Sequence, residues 1–136
     1  IARAPFLASH SNCNAVYRHP RSLTDRQIDC IITRGGLIGI NLYRAFLGRP
    51  GSAGFAAAHR HIRHVLERGG EHVLALGSDF DGCELEPCFA GVEKLEAFQD
   101  YLLANGMPQE QADALFYKNA EKFFQTLLQP QTDMLK

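Results

Sequence analysis

The chain has 136 residues, 46% of them hydrophobic, and a formal net charge of -1. That composition supports one globular core and offers no excess charge to draw the chain to nucleic acid or an anionic membrane, which leaves a small molecule or another protein as partner. No segment reaches the roughly 18 apolar residues of a membrane span, and the opening IARAPFLASHSN has no basic stretch followed by a long apolar run.

In chain order, the apolar run 5–9 ends at a polar cluster and reads as a buried strand that stops at His10. Thr24, with Gln27 three residues on, makes a capping box for a helix over about 24–34 that turns Ile28, Ile31 and Ile32 inward and ends at Gly35-Gly36. LIGINLY (37–43) reads as a second buried strand, and apolar residues at helical spacing predict a helix from Phe55 to Glu67, stopped by Gly69-Gly70. A third apolar run, HVLALG (72–77), ends at Ser78-Asp79. A long loop then leads to a helix near 92–104, Asn105-Gly106 turns the chain, and two short helices are expected over about 108–116 and 118–128.

Almost wholly apolar strands alternating with helices are the signature of an α/β fold with parallel strands covered on both faces. Such units build either an open doubly wound sheet or a closed barrel, and three are too few for a (β/α)8 barrel of about 250 residues. The beginning almost inside a strand suggests one segment of a larger protein, so residues 1–136 are read as a single partial domain.

Four cysteines (Cys13, Cys30, Cys83, Cys88) match no zinc or redox spacing and read as free thiols of a reducing compartment. The absence of an N-x-S/T sequon agrees with a cytoplasmic location, though a secreted or anchored form stays open.

In parallel α/β folds the reactive groups gather at the carboxyl ends of the strands. The residues there are His10-Ser11-Asn12, Asn41 with Tyr43, and Asp79-Phe80-Asp81-Gly82. A histidine, an amide and an acid thus converge on one rim: neutral imidazole is a good zinc ligand, and a carboxylate beside a metal can accept the proton of an attacking water. The plainer alternative is that these residues cap loops and turns.

The segments FLASHSN, RHPRSLTDRQI, GGLIGINLY, HIRHVLERGGEHVLALGSDFDG and KNAEKFF together resemble the membrane (renal) dipeptidase family of zinc peptidases nearly end to end. The resemblance implies the last three β/α units of a (β/α)8 metallo-hydrolase barrel, in which two zinc ions and a metal-bridging hydroxide cleave the peptide bond of a dipeptide. His10, of the S-H-S motif, is then a ligand of one zinc. Arg21, of the H-P-R motif, grips the dipeptide's free carboxylate, a task suited to its planar fork of donors, with Arg18 the nearby competitor. Asp79 takes the proton of the nucleophile and passes it to the departing amine, while Asp81 holds its loop. Asn41 and Tyr43 line the rim and are candidates for substrate contact. Phe46 stands where some members of the family carry a tyrosine, which removes a hydroxyl.

The family's other metal groups, an early His-x-Asp, a bridging glutamate and a further histidine, belong to strands that precede this chain. His59 and His61 do not replace them, because residues two apart on a helix point nearly oppositely, and His61 with His64 is expected on the outside of a barrel. The isolated chain is therefore expected to be inactive, to bind zinc weakly, and to pair either with the missing barrel half or with itself. Two alternatives remain: a related barrel amidohydrolase acting on another amide or an N-acyl amino acid, and a non-catalytic module that associates through open sheet edges.

Overall fold

The computed structural model describes residues 4–129. Three parallel strands, β1 (Leu7–Ala8), β2 (Leu37–Ile40) and β3 (Leu74–Leu76), lie in the order β1-β2-β3. Leu7 pairs with Leu37, and Ile38, Gly39 and Ile40 pair with Leu74, Ala75 and Leu76. Each strand is thus added beside its predecessor, which is how a barrel wall is built and which brings all three carboxyl ends to one side.

Helix α1 (Asp25–Thr33) crosses from β1 to β2. Its capping box forms as the sequence predicts: Gln27 Oε1 accepts from the Thr24 N–H at 2.8 Å, and the Gln27 N–H donates to Thr24 Oγ1. Ile28 and Ile31 are buried, and Gly35 ends the helix at φ 62°. A one-turn helix missed by the sequence reading, α2 (Arg44–Leu47), follows β2. Helix α3 (Phe55–Glu67) crosses to β3 and buries Ala57, Ala58, His61, Ile62 and Val65, a stripe at helical spacing. Arg68 at its end clamps Asp29 of α1 through two hydrogen bonds, of 2.9 and 2.5 Å, and reaches Asp25 at 3.1 Å. The guanidinium holds the Asp29 carboxyl below the usual carboxylate range.

After β3 the chain runs through two 3-10 turns, Pro87–Phe89 and Val92–Lys94, into α4 (Leu95–Ala104). The rings of Phe55, Phe89 and Phe98 meet at 5.0–5.2 Å between centroids and pin this stretch onto α3 and α4.

Three expectations are corrected. The helices expected over 108–116 and 118–128 form one continuous helix, because α5 (Gln109–Asp113) passes through a π turn (Ala114–Lys118) directly into α6 (Asn119–Leu128). The wide turn keeps the backbone bonded while Leu115, Asn119 and Phe123 all stay buried. The run 5–9 contributes a strand of only two residues, with Leu7 42% exposed, since β1 is an edge strand paired only to β2. His61, expected on an outer face, is fully buried, because it lies on the same stripe of α3 as Ala57 and Val65.

No helix among the described residues is long and apolar enough to cross a membrane.

Candidate active site

An open cleft of about 800 Å³ lies at the carboxyl ends of the strands, lined by His10, Arg21, Tyr43, Phe46, Asp79 and the loop 81–84. Four of the five residues singled out from the sequence therefore share one cavity.

His10 follows β1 directly. The chain folds tightly here: the Ser11 N–H donates to Gly39 O at 2.8 Å, and a Cβ on either Gly39 or Gly77 would collide with the Ser9 carbonyl. Glycine within β2 and just after β3 is what lets the His10 turn lie across the strand ends. Among the described residues the His10 ring is engaged on one side, Nδ1 with Ser9 Oγ at 2.7 Å, while Nε2 bonds to none of them. Metal-ligating histidines are held this way, one nitrogen fixed by a hydrogen bond and the other on the metal.

Asp79 has φ 62°, the one non-glycine residue with positive φ among those described. Aspartate tolerates this conformation better than most side chains. The Asp79 carbonyl accepts from the Gly82 N–H at 3.0 Å and from Cys83 Sγ at 3.1 Å, and a Cβ on Gly82 would strike the Asp79 carboxylate. Burial and the adjacent Asp79 charge push the Cys83 thiol up to about 11, so it stays protonated at neutral pH.

Asn41 stands behind the cleft rather than on it. It is fully buried, and its amide is committed: Nδ2 donates to Asp79 Oδ2 at 3.3 Å, and Oδ1 accepts from the Tyr43 N–H at 2.6 Å. Considered from the sequence as a candidate for substrate contact, Asn41 does not line the cleft, and its amide is bonded to the Asp79 carboxylate and the Tyr43 N–H. Asn41 is fixed in turn by Asn12, whose side chain donates to Asn41 O at 3.0 Å and accepts from its N–H at 2.9 Å. Sequence reasoning placed Asn12 at the strand end but gave it no role of its own.

The H-P-R turn is ordered by His19, whose Nδ1 accepts from the Arg21 N–H at 3.1 Å and whose ring packs on Phe46 at 4.4 Å. Phe46 also meets Tyr43 at 4.7 Å. The Arg21 guanidinium has no carboxylate partner among the described residues, in contrast to the paired Arg44, Arg63 and Arg68. Arg18 turns elsewhere, lining a separate cavity of about 430 Å³ with Arg49 and Arg60. The loop 81–86 is strapped over the cleft wall by an antiparallel bridge between Tyr43 and Leu85 and by the Arg44–Glu84 ion pair.

As a metal site this rim is partial. It presents one imidazole and several carboxylates, of His10, Asp79, Asp81 and Glu84. Among the described residues no group of three or more His, Cys, Asp or Glu side chains is placed to hold a metal ion. Imidazole and carboxylate are donor types that divalent metals take.

Comparison with known proteins agrees with this geometry. The family model for membrane dipeptidases (peptidase family M19) matches residues 1–134. A Klebsiella pneumoniae protein of unassigned function, encoded in the pqqA 5' region, is 37% identical over 122 residues, covering 87% of this chain and 45% of its own length. An uncharacterized dipeptidase of Schizosaccharomyces pombe is 33% identical over 104 residues, or 75% of this chain and 24% of its own. Among solved structures, a metallo peptidase from Rhodobacter sphaeroides, liganded with a phosphinate mimic of the dipeptide L-Ala-D-Ala, superposes with a TM-score of 0.85 at 34% identity, over 91% of this chain and 36% of that one. The M19 metallo peptidase described as dipeptidase AC gives the same TM-score and identity over 38% of its length. The chain thus spans less than half the length of these relatives. Both its cleft and its near end-to-end match make it a member of the membrane dipeptidase family, peptidase family M19.

Proposed function

We propose that this segment forms the C-terminal part of the barrel of a dinuclear zinc dipeptidase and contributes one metal ligand, the proton-transfer acid and the anchor for the substrate carboxylate. The observation that carries the proposal is the convergence of His10, Arg21 and Asp79 on one cleft, with Arg21 unpaired among the described residues. A bound zinc pair would supply an acidified water as nucleophile and polarise the scissile carbonyl. His10 would hold one ion through Nε2, its Nδ1 being tied to Ser9. Arg21 grips the free carboxylate of the dipeptide with paired N–H donors, which sets substrate length as well as charge. Asp79 accepts the proton of the attacking water at a carboxylate oxygen and returns it to the departing amine, while Asn41 holds that carboxylate in orientation. Tyr43 and Phe46 form the wall beside the substrate.

The phosphinate dipeptide mimic bound to the Rhodobacter sphaeroides relative supports a dipeptide as substrate. The isolated segment, one side of the site, is inactive in this reading. Self-association through the open edge at β1, where Leu7 is exposed, is what the segment would do without the rest of the barrel.

Arg21→Ala in the complete polypeptide tests the assignment. KM for a dipeptide should rise about a hundredfold, the worth of a charge-assisted bidentate pair, while turnover of the corresponding dipeptide amide, which has no carboxylate, stays unchanged. Equal effects on both substrates would remove Arg21 from the carboxylate site.

A further inference from the structure

Two of the segments that contribute to the cleft, the turn His10–Cys13 through His10 and the stretch Tyr43–Leu47 through Tyr43 and Phe46, do not follow one another in sequence, and one buried residue outside the cleft joins them. His61, on α3, is completely buried. Its Nδ1 accepts a hydrogen bond from the Cys13 N–H at 3.0 Å, which places the ring proton on Nε2, and Nε2–H donates to Leu47 O at 3.1 Å. A third contact reinforces the first, since Cys13 Sγ–H donates to the His61 carbonyl at 3.5 Å.

Both bonded groups lie close to the cleft. Cys13 follows Asn12, the residue that fixes Asn41, and is three positions from His10. Leu47 ends the helix α2 that carries Phe46 and starts next to Tyr43. Apolar packing at this point on α3 would be met by any residue of similar volume. A ring with one acceptor and one donor on opposite edges instead sets a fixed separation between the two backbone groups it bridges.

We propose that His61 is a positioning residue for the cleft, a two-sided latch whose ring nitrogens hold the His10 turn and the Tyr43–Leu47 wall at working distance. The role rests on the dipeptidase reading for its consequence in catalysis, but the latch is measurable without any turnover. The neutral ring it requires agrees with its surroundings, where burial pushes the imidazole down to about 4.

The test uses the complete polypeptide carrying this segment and four variants. His61→Phe keeps an aromatic ring, somewhat larger than imidazole, and removes both bonds. Its Cys13 amide and the peptide spanning Tyr43–Leu47 should exchange hydrogen about tenfold faster or more. Its kcat/KM for a dipeptide should fall about tenfold, mainly through KM. Ile62→Val, a core change in the same helix, lowers the melting midpoint and should alter neither reading. His61→Asn retains an acceptor for Cys13 and should restore protection there only. His61→Gln reaches further, retains a donor for Leu47, and should restore protection on that side only. These two also decide the matter if the phenylalanine variant does not fold. Unchanged exchange at both segments in folded His61→Phe overturns the latch, as does an Ile62→Val variant with the same exchange and KM changes. If wild type hydrolyses no dipeptide, the functional reading fails while the exchange pattern still decides the latch.

Discussion

The two ends of the three-stranded sheet are held by buried asparagines put to different uses. At the carboxyl ends, Asn12 binds both backbone groups of Asn41, and Asn41 spends its own amide on the Asp79 carboxylate and the Tyr43 N–H. At the amino end of β3, Asn119 of α6 donates from one nitrogen to the carbonyls of Glu71 and Leu74, both at 2.8 Å. The lower asparagine closes a helix onto a strand, whereas the upper pair orients the Asp79 carboxylate at the cleft. The upper end also carries the positive φ of Asp79 and the Arg21 guanidinium, which has no carboxylate partner among the described residues. Barrels of this kind separate chemistry from stability along the strand axis, and the same residue type serves both because its amide can satisfy backbone groups in either setting.

That separation can be broken deliberately. The largest effect is expected from Asp79→Asn in the complete polypeptide: dipeptide turnover should drop by about 10²–10⁴-fold, with little change in melting midpoint, because asparagine also tolerates positive φ. Parallel loss of stability and activity would show that the upper end is structural after all.

Next comes the pH dependence of the His61 latch at the upper end. His61 is neutral in the fold, its imidazole pushed from the ordinary 6.5 to about 4. The unfolded chain therefore binds the extra proton first. The contribution is complete above about pH 6.5 and is lost as pH falls toward 4, amounting to about 3 kcal/mol. Urea midpoints measured from pH 7 to 4 should decline less steeply in His61→Phe than in wild type.

Asn119→Ala should cost about 2 kcal/mol in a urea titration by leaving two carbonyls without their donor, yet leave kcat per folded molecule unchanged. A change in kcat would mean that the ends of the sheet communicate. Smallest is Thr24→Ala, which removes the side-chain half of the α1 capping box and should lower stability by about 1 kcal/mol without touching the cleft.

Much of this was legible before any coordinates. Local chemistry placed the Thr24 capping box, the span of α3 and the glycine stops at Gly35, Gly69 and Gly106, since each depends on residues within a few positions of one another. The strand-end rule located His10, Tyr43 and Asp79 on one rim, because parallel strands deliver their carboxyl ends to the same side. Other features were not legible, for particular reasons. Helix α2 is a single turn, too short for a periodic signal. The π turn takes one more residue than an α turn, shifts the register of the helical pattern and so reads along the chain as a break. His61 did leave a trace, its place on the stripe of Ala57 and Val65, but its partners are 48 and 14 residues away.

By itself, then, the sequence determined the order of elements, the family and the residue types of the cleft, because those rest on local propensity and on motifs read along the chain. Only the tertiary structure decided that Asn41 stands behind Asp79, that Arg21 rather than Arg18 enters the cleft, and that His61 joins its walls. Those are choices of direction for side chains brought together across 14 to 48 residues, and long-range packing alone sets them.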